Sequence, residues 1–174
     1  REGVQVGMPL HLARRLCPSL RVRPPDPHRA ETADASLRTV IRRYAPTWEP
    51  VHPGAVMMDV TGTTRLFGAA CDVATTVQQA VLTQYRLEGV AGVGSNKLVA
   101  QTAASLIEPS ELYDVRQGSE RLFMSPLSVH SLPGIHRPCM RTVLKRLDDL
   151  NLRSLGDIAE SPLDALELVL GHDA

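Results

Sequence analysis

The chain has no run of about 18 apolar residues, so no segment is predicted to span a membrane, and no charged-then-apolar leader precedes a cleavage site. Cysteine is sparse. Cys17, Cys71 and Cys139 lie far apart, with no C-x-x-C pair and no histidine at ligand spacing, so neither a zinc site nor a disulfide framework is expected; a reducing cytoplasm fits this best. Net charge is also missing: 19 Lys and Arg offset 19 Asp and Glu. The balance is uneven, because Arg14, Arg15, Arg21, Arg23, Arg29, Arg38, Arg42 and Arg43 crowd the first quarter while the remainder leans acidic. Such a front end is compatible with a nucleic-acid partner, although solvated helix faces explain most such runs. No G-x-x-x-x-G-K-[ST] phosphate loop occurs. The six histidines form no His/Ser/Asp grouping, and His130 with His136, lacking a carboxylate or cysteine, does not make a metal site. An initiating methionine is absent too, so a chain that begins at Arg1 reads as a fragment of a longer protein.

What is present is enough for one good core or two small ones: 174 residues, 43% of them hydrophobic. A short helix is expected over Gly7 to Pro18, with Pro9 in its first turn and Pro18 stopping it. The helical period of Ala33, Leu37, Val40, Ile41 and Tyr44 predicts a longer helix from about 28 to 43. Ala55 to Val60 has strand length and closes on Thr61-Gly62. Asp72 is the expected cap of the next helix, with Ala74, Val77, Val81 and Tyr85 as its buried face. Gly89 to Gly94 reads as a second strand, Ser95 or Asn96 to Ile107 as a helix, and Leu112 to Val115 as a third strand, which together describe a small α+β layer. Beyond Gly118 the composition shifts. The Leu132-Pro-Gly-Ile135 turn and three short helices, Cys139 to Leu150, Leu155 to Ala159 and Leu163 to Leu170, predict a separate helical module.

Two segments could carry chemistry. Gly92-Val-Gly-Ser-Asn-Lys97 leaves a strand and opens a helix, where amides and the helix dipole can hold a phosphate; an ordinary strand-to-helix turn is the other reading, and lysine at 97 breaks the G-x-G-x-x-G pattern. Arg137, Arg141 and Lys145 recur every fourth residue, which predicts one basic helix face opposite Val143, Leu147 and Leu150. Beside the Leu132–Ile135 turn this has the look of a DNA-backbone contact of helix-hairpin-helix type, in which Gly134 offers close approach and the three cations neutralise phosphate; a solvated face next to Asp148 and Asp149 is the alternative.

In this order the segments resemble the Y-family translesion DNA polymerases of the DinB/UmuC type over nearly the whole chain. The elements that carry the resemblance are Gly3-Val-Gln-Val-Gly-Met-Pro-Leu10, Ala13-Arg-Arg-Leu-Cys-Pro18 and Pro24-Pro-Asp26; Met58-Asp-Val-Thr-Gly62 with Leu66-Phe-Gly68; Val93-Gly-Ser-Asn-Lys-Leu98 with Ala100; Phe123-Met-Ser-Pro-Leu127; Leu132-Pro-Gly-Ile135; and Leu155-Gly-Asp-Ile-Ala159. The resemblance implies the end of a fingers domain at 1–27, most of a palm at 28–117 and a thumb at 118–174. The palm would be a ferredoxin-like sheet with helices, its first strand, which carries a metal-binding aspartate in the family, lying before Arg1; the thumb would be small and all-helical with a helix-hairpin-helix-like motif, and a little finger would follow Ala174.

Set against the family pattern, His52 falls on a serine, Gly54 on the aspartate and Ala55 on the glutamate of the palm's adjacent acid pair. Two-metal phosphoryl transfer needs carboxylates to fix cations about 3.5–4 Å apart, and glycine and alanine supply no side-chain oxygen. No metal or other cofactor is therefore expected, and Mg²⁺ only if the protein proves active. Asp59 matches a family aspartate outside the metal pair; Gln101 replaces a usual lysine and Ala30 a usual tyrosine, while Asn96 and Lys97 match and remain as a nucleotide-binding remnant. This pattern resembles the catalytically inactive ImuB-type subfamily, which implies a non-catalytic adaptor in inducible (SOS) mutagenesis whose partners are primer-template DNA, the sliding clamp, an error-prone polymerase subunit and a small recombinase-like protein. An active nucleotidyltransferase using other acids, and a module that only grips the DNA backbone, are the alternatives. In the thumb, His136 stands where a second hairpin glycine is usual, and the stretch from Ile135 to Leu147 exceeds the usual hairpin by about four residues, one helical turn.

Overall fold

The computed structural model describes residues 3, 4 and 8–171; Arg1, Glu2, Gln5 to Gly7 and the last three residues, with the parts of the expected motifs that fall on them, lie outside the described residues. The first described helix, α1 (Leu10–Leu16), has Pro9 as its N-cap, one position earlier than the first-turn placement expected of it. Helix α2 (Pro27–Ile41) starts where the chain chemistry says it should. Asp26 caps it by accepting the Arg29 N–H at 3.1 Å, and Pro27 sits in the first turn, where no intrahelical N–H is needed.

A strand not anticipated from the sequence follows. β1 (Thr47–His52) pairs antiparallel with β2 (Ala55–Asp59), with Trp48 opposite Met58 and Glu49 opposite Met57. Pro50 lacks an N–H to donate, which restricts it to an edge strand, and β1 is paired with β2 alone among the described residues. Strand alternation then sorts the hairpin into two faces. Trp48, Val56 and Met58 pack with the buried Val40 and Ile41 of α2, whereas Thr47, Glu49, Ala55, Met57 and Asp59 fall on the opposite, open face.

After the short helix α3 (Thr64–Phe67), whose Phe67 ring meets Tyr44 edge-on at 5.7 Å, comes α4 (Ala70–Tyr85). Its N-cap is Ala69. Asp72 lies three residues further in and accepts the Ala69 N–H at 2.9 Å, so it closes the helix start from inside rather than as the expected cap. The buried stripe is Val73, Val77 and Val81, with Val73 in place of the expected Ala74; full burial of each valine contributes on the order of 1.5–3 kcal/mol, and the stripe joins α4 to Val40 and Ile41 of α2 in one core.

β3 (Ala91–Val93) and β4 (Leu112–Asp114) form a parallel pair joined by α5 (Lys97–Ser105). The palm sheet expected from the sequence is one whose first strand lies before Arg1; among the described residues the strands make two separate two-stranded sheets. Helix α4 joins them. Its Gln78 side-chain amide donates to the carbonyl oxygens of Gly89 (3.0 Å) and Glu111 (2.8 Å), which pins the start of both parallel strands to the helix that packs on the hairpin.

Of the remaining helices among the described residues, α6 (Glu120–Met124) packs Phe123 and Met124 on Val99, Ala103 and Val115, while α7 (Arg141–Asp149), α8 (Leu155–Glu160) and α9 (Leu163–Leu170) surround a core of Val129, Ile135 and Leu147. The expected helix from Cys139 begins instead as a 3-10 turn, Pro138–Met140. Leu150, assigned to the buried side, is 46% exposed because the helix ends at Asp149 and position 150 is its C-cap. Arg146 donates from one guanidinium nitrogen to the carbonyl oxygens of Val169 (2.8 Å) and Leu170 (3.2 Å), satisfying the open C-terminal end of α9.

Ser154 and Asp157 form a capping box on α8: the Ser154 hydroxyl accepts the Asp157 N–H at 3.0 Å, and the Asp157 carboxylate accepts the Ser154 N–H at 2.8 Å. Hydrogen bonds from Ser154 and then Arg153 hold the Asp157 carboxyl below its usual range. A carboxylate depressed in the folded state stabilises it above the unfolded pKa and loses that contribution as pH falls through the folded value. Ser154→Ala is expected to cost about 1 kcal/mol, and Asp157→Asn to flatten the acid limb of the stability–pH curve below the usual aspartate range, both measured by chemical denaturation.

Candidate functional site

The hairpin turn holds the first pair of site positions. Gly54 occupies it with φ +83°, in the left-handed region that favours glycine, and Ala55 is the first residue of β2. A Cβ placed on Gly54 would meet no atom within 4 Å, so neither another acid nor any other side chain fills the space a side chain there would enter. Asp59, at the far end of β2, is five residues and therefore roughly 16 Å along the strand. Its carboxylate accepts the Thr61 N–H at 2.9 Å, and hydrogen bonds from Thr61 keep its pKa low. It serves the turn before Gly62 and does not approach Gly54. Among the described residues no three His, Cys, Asp or Glu side chains gather as a ligand set, and glycine and alanine do not fit the two-cation role of the palm acids.

The second pair sits at the start of α5. Asn96 is the N-cap, its side-chain oxygen accepting the Val99 N–H at 3.0 Å, so that oxygen is committed to the helix. Lys97 reaches Glu49 on the open face of the hairpin, at 2.7 Å. Both side chains are more than half exposed, 69% and 51%, and such a pair contributes about 0–1 kcal/mol, little enough for an anion to displace it. The glycines of this segment are explained by packing. A Cβ on Gly92 would press on the Ala100 carbonyl oxygen and lie 2.6 Å from the Ala104 nitrogen, and one on Gly94 would lie 2.7 Å from a Val99 methyl, so β3 and α5 approach as closely as backbones allow.

Gly134, with φ +82°, makes the Leu132–Ile135 turn, closed by the Ile135 N–H to the Leu132 carbonyl at 3.2 Å. Arg137 does not share a helix face with Arg141 and Lys145. It is extended (φ −61°, ψ 145°) ahead of the 3-10 turn, because Pro138 disfavours helical geometry in the residue before it. Its side chain folds over Gly134 instead, with the guanidinium at van der Waals distance from a Cβ there. Arg141 and Lys145 lie one turn apart on α7, both exposed and neither in an ion pair with a described residue. His136 donates through Nε2 to the His130 carbonyl at 3.0 Å and its ring stacks on His130, 5.6 Å between centroids, so this side chain is folded against its own loop.

Sequence reasoning missed Asp34, Arg38 and Glu49. Asp34 is buried in α2, accepts the Gly54 N–H at 3.0 Å and pairs with Arg38 at 2.6 Å; the only sequence signal was a charged residue interrupting the apolar face of that helix. No helix among the described residues is long and apolar enough to cross a membrane.

Comparison with known proteins places this geometry. DNA polymerase IV of Desulfatibacillum aliphaticivorans is 30% identical over 163 residues, covering 94% of this chain and 41% of the relative. DNA polymerase IV of Yersinia pestis (strain Pestoides F) is 29% identical over 166 residues, 95% of this chain and 46% of the relative. The chain thus spans less than half the length of these curated relatives. Among solved structures, DinB from Sulfolobus solfataricus superposes with a TM-score of 0.84 at 24% identity over 98% of this chain and 49% of that one. An insertion ternary complex of Dbh DNA polymerase gives 0.84 at 25% identity over 97% of this chain and 48% of that one. The impB/mucB/samB family matches residues 1–105, more than half of the 174, and the chain belongs to that family.

Proposed function

We propose that this chain is the central part of a DNA-repair protein, a Y-family polymerase homologue of ImuB type that acts in translesion synthesis as a non-catalytic scaffold. The observation that carries the reading is Gly54-Ala55 at the hairpin turn: the family's acid pair is replaced, the space a side chain at 54 would enter is unfilled, and Asp59 lies on the order of 16 Å away along β2. A polymerase fold that cannot fix two cations keeps its surfaces, and surfaces are what an adaptor uses. The sliding clamp and an error-prone polymerase subunit are its partners on this reading, and it works in the cytoplasm without a cofactor. Primer extension by the full-length protein with Mg²⁺ or Mn²⁺ is the test, and template-directed synthesis overturns the reading.

A DNA contact by the thumb is a second element of the proposal, favoured by the exposed, unpaired Arg141 and Lys145 on α7 and by Arg137 folded over the Gly134 turn. The similarity to a polymerase captured in a ternary complex supports it. Replacing Arg141 and Lys145 by alanine in the full-length protein is expected to weaken binding to primed DNA evenly across sequences and to lower the slope of log affinity against log salt by about 2, roughly one unit per lost phosphate contact. Fluorescence anisotropy over a salt series measures this; an unchanged slope assigns binding to other surfaces.

A further inference from the structure

The hairpin turn at Gly54 is fixed from the helix side by a buried carboxylate. Asp34 is 9% exposed, and one of its oxygens accepts the Gly54 N–H at 3.0 Å across 20 residues of chain. Its other oxygen pairs with Arg38 one turn along α2 at 2.6 Å, and the Arg38 guanidinium lies 6.0 Å from the centroid of the Trp48 ring on β1. Helix and hairpin are thus joined at two heights, at the turn through Asp34 and along β1 through Arg38 and Trp48. The Asp34 carboxylate is not a relocated metal ligand: it lies more than 4 Å from a Cβ placed on Gly54, and its charge is already matched by a guanidinium.

We infer that Asp34 is the tether that holds the hairpin turn in place, with the Arg38 cation balancing its charge, so that the turn keeps its shape without a divalent ion. Pro53, whose ring fixes its φ, shapes the first half of this two-residue turn, whereas Gly54 in the left-handed region loses more backbone freedom on ordering than any other residue and is the half that gains from a tether. A charge-assisted hydrogen bond to a buried carboxylate on a packed helix supplies the constraint. The inference stands apart from the question of activity, because it concerns what orders the turn and not whether DNA is extended.

Amide hydrogen exchange on the full-length protein, with Mg²⁺ and in EDTA, tests it. The Gly54 amide is expected to exchange at the same rate in both conditions, to exchange roughly tenfold faster or more in Asp34→Ala, and to stay within about threefold of native in Asp34→Asn, whose carbonyl can still accept the N–H. A native turn that loosens in EDTA, an Asp34→Ala turn protected like the native one, or tenfold acceleration in Asp34→Asn each overturns the inference. If Asp34→Ala speeds exchange in α4 as well, the chain has unfolded globally, and the EDTA comparison and Asp34→Asn decide the matter between them. Primer extension run on the same samples separates this result from the scaffold reading.

Discussion

Given a lesion-free primed template, all four deoxynucleotides and Mg²⁺ or Mn²⁺, the full-length protein is expected to extend the primer at least about 10³-fold more slowly than a homologue that keeps both palm acids. The estimate follows from cation stabilisation of transition-state charge worth several kcal/mol, at 1.36 kcal/mol per tenfold in rate. Restoring the acids as Gly54→Asp with Ala55→Glu is expected to return little of that activity. The reason is the backbone: Gly54 has φ +83°, and a residue with a Cβ held in that left-handed region costs roughly 1–2 kcal/mol. No neighbour blocks a side chain at 54, so the double variant is expected to fold, with a Tm lower by about 2–8 °C. Extension by the native protein refutes the scaffold proposal. Efficient extension by the double variant shows instead that the turn readjusts and that the rest of the nucleotide site, Lys97 included, is intact.

The largest expected effect on stability comes from Gly92→Ala. A single added methyl group would press against the Ala100 carbonyl and the Ala104 nitrogen, both backbone atoms of α5, which cannot rotate away as a side-chain end can. Overpacking of this kind costs typically 1–3 kcal/mol, and the upper end applies where the obstacle is main chain, so a fall in Tm of about 6–12 °C is expected by differential scanning calorimetry. Gly134→Ala provides the contrast. Its added Cβ would sit 3.5 Å or more from the flexible Arg137 side chain, so its cost is limited to the φ of +82°. Equal stability of the Gly92→Ala and native proteins contradicts the close strand-to-helix contact.

The elements that the sequence made readable share a physical origin in local chemistry. The existence of α2, the opening of α5 at Asn96 and the Val77 and Val81 positions of α4 are decided by residues within a turn or two of each other, and periodicity and capping report such signals directly. Where local signals were mixed, the reading failed. Thr47–His52 holds three polar residues and a proline and looks like loop, yet pairing with β2 and partial burial of Trp48 make it a strand. Arg137 obeys the four-residue period of Arg141 and Lys145, but Pro138 unwinds the chain ahead of α7 and removes it from their face.

The sequence alone determined which chemistry is missing: no carboxylate stands at 54 or 55, and no folding can supply an oxygen that the residue lacks. It also determined the left-handed turn that glycine permits and the helix starts set by Asp26 and Asn96. Only the tertiary structure decided that Asp59 is out of reach, that Lys97 faces Glu49 across the open sheet face, that Gly92 serves packing, and that Asp34 holds the Gly54 turn from behind. The division has a simple cause. Caps, turns and missing functional groups are properties of a few adjacent residues, whereas Asp34 and Gly54 become neighbours only after α2 has packed on the hairpin, and Glu49 and Lys97 only once α5 is set in place on the parallel strand pair.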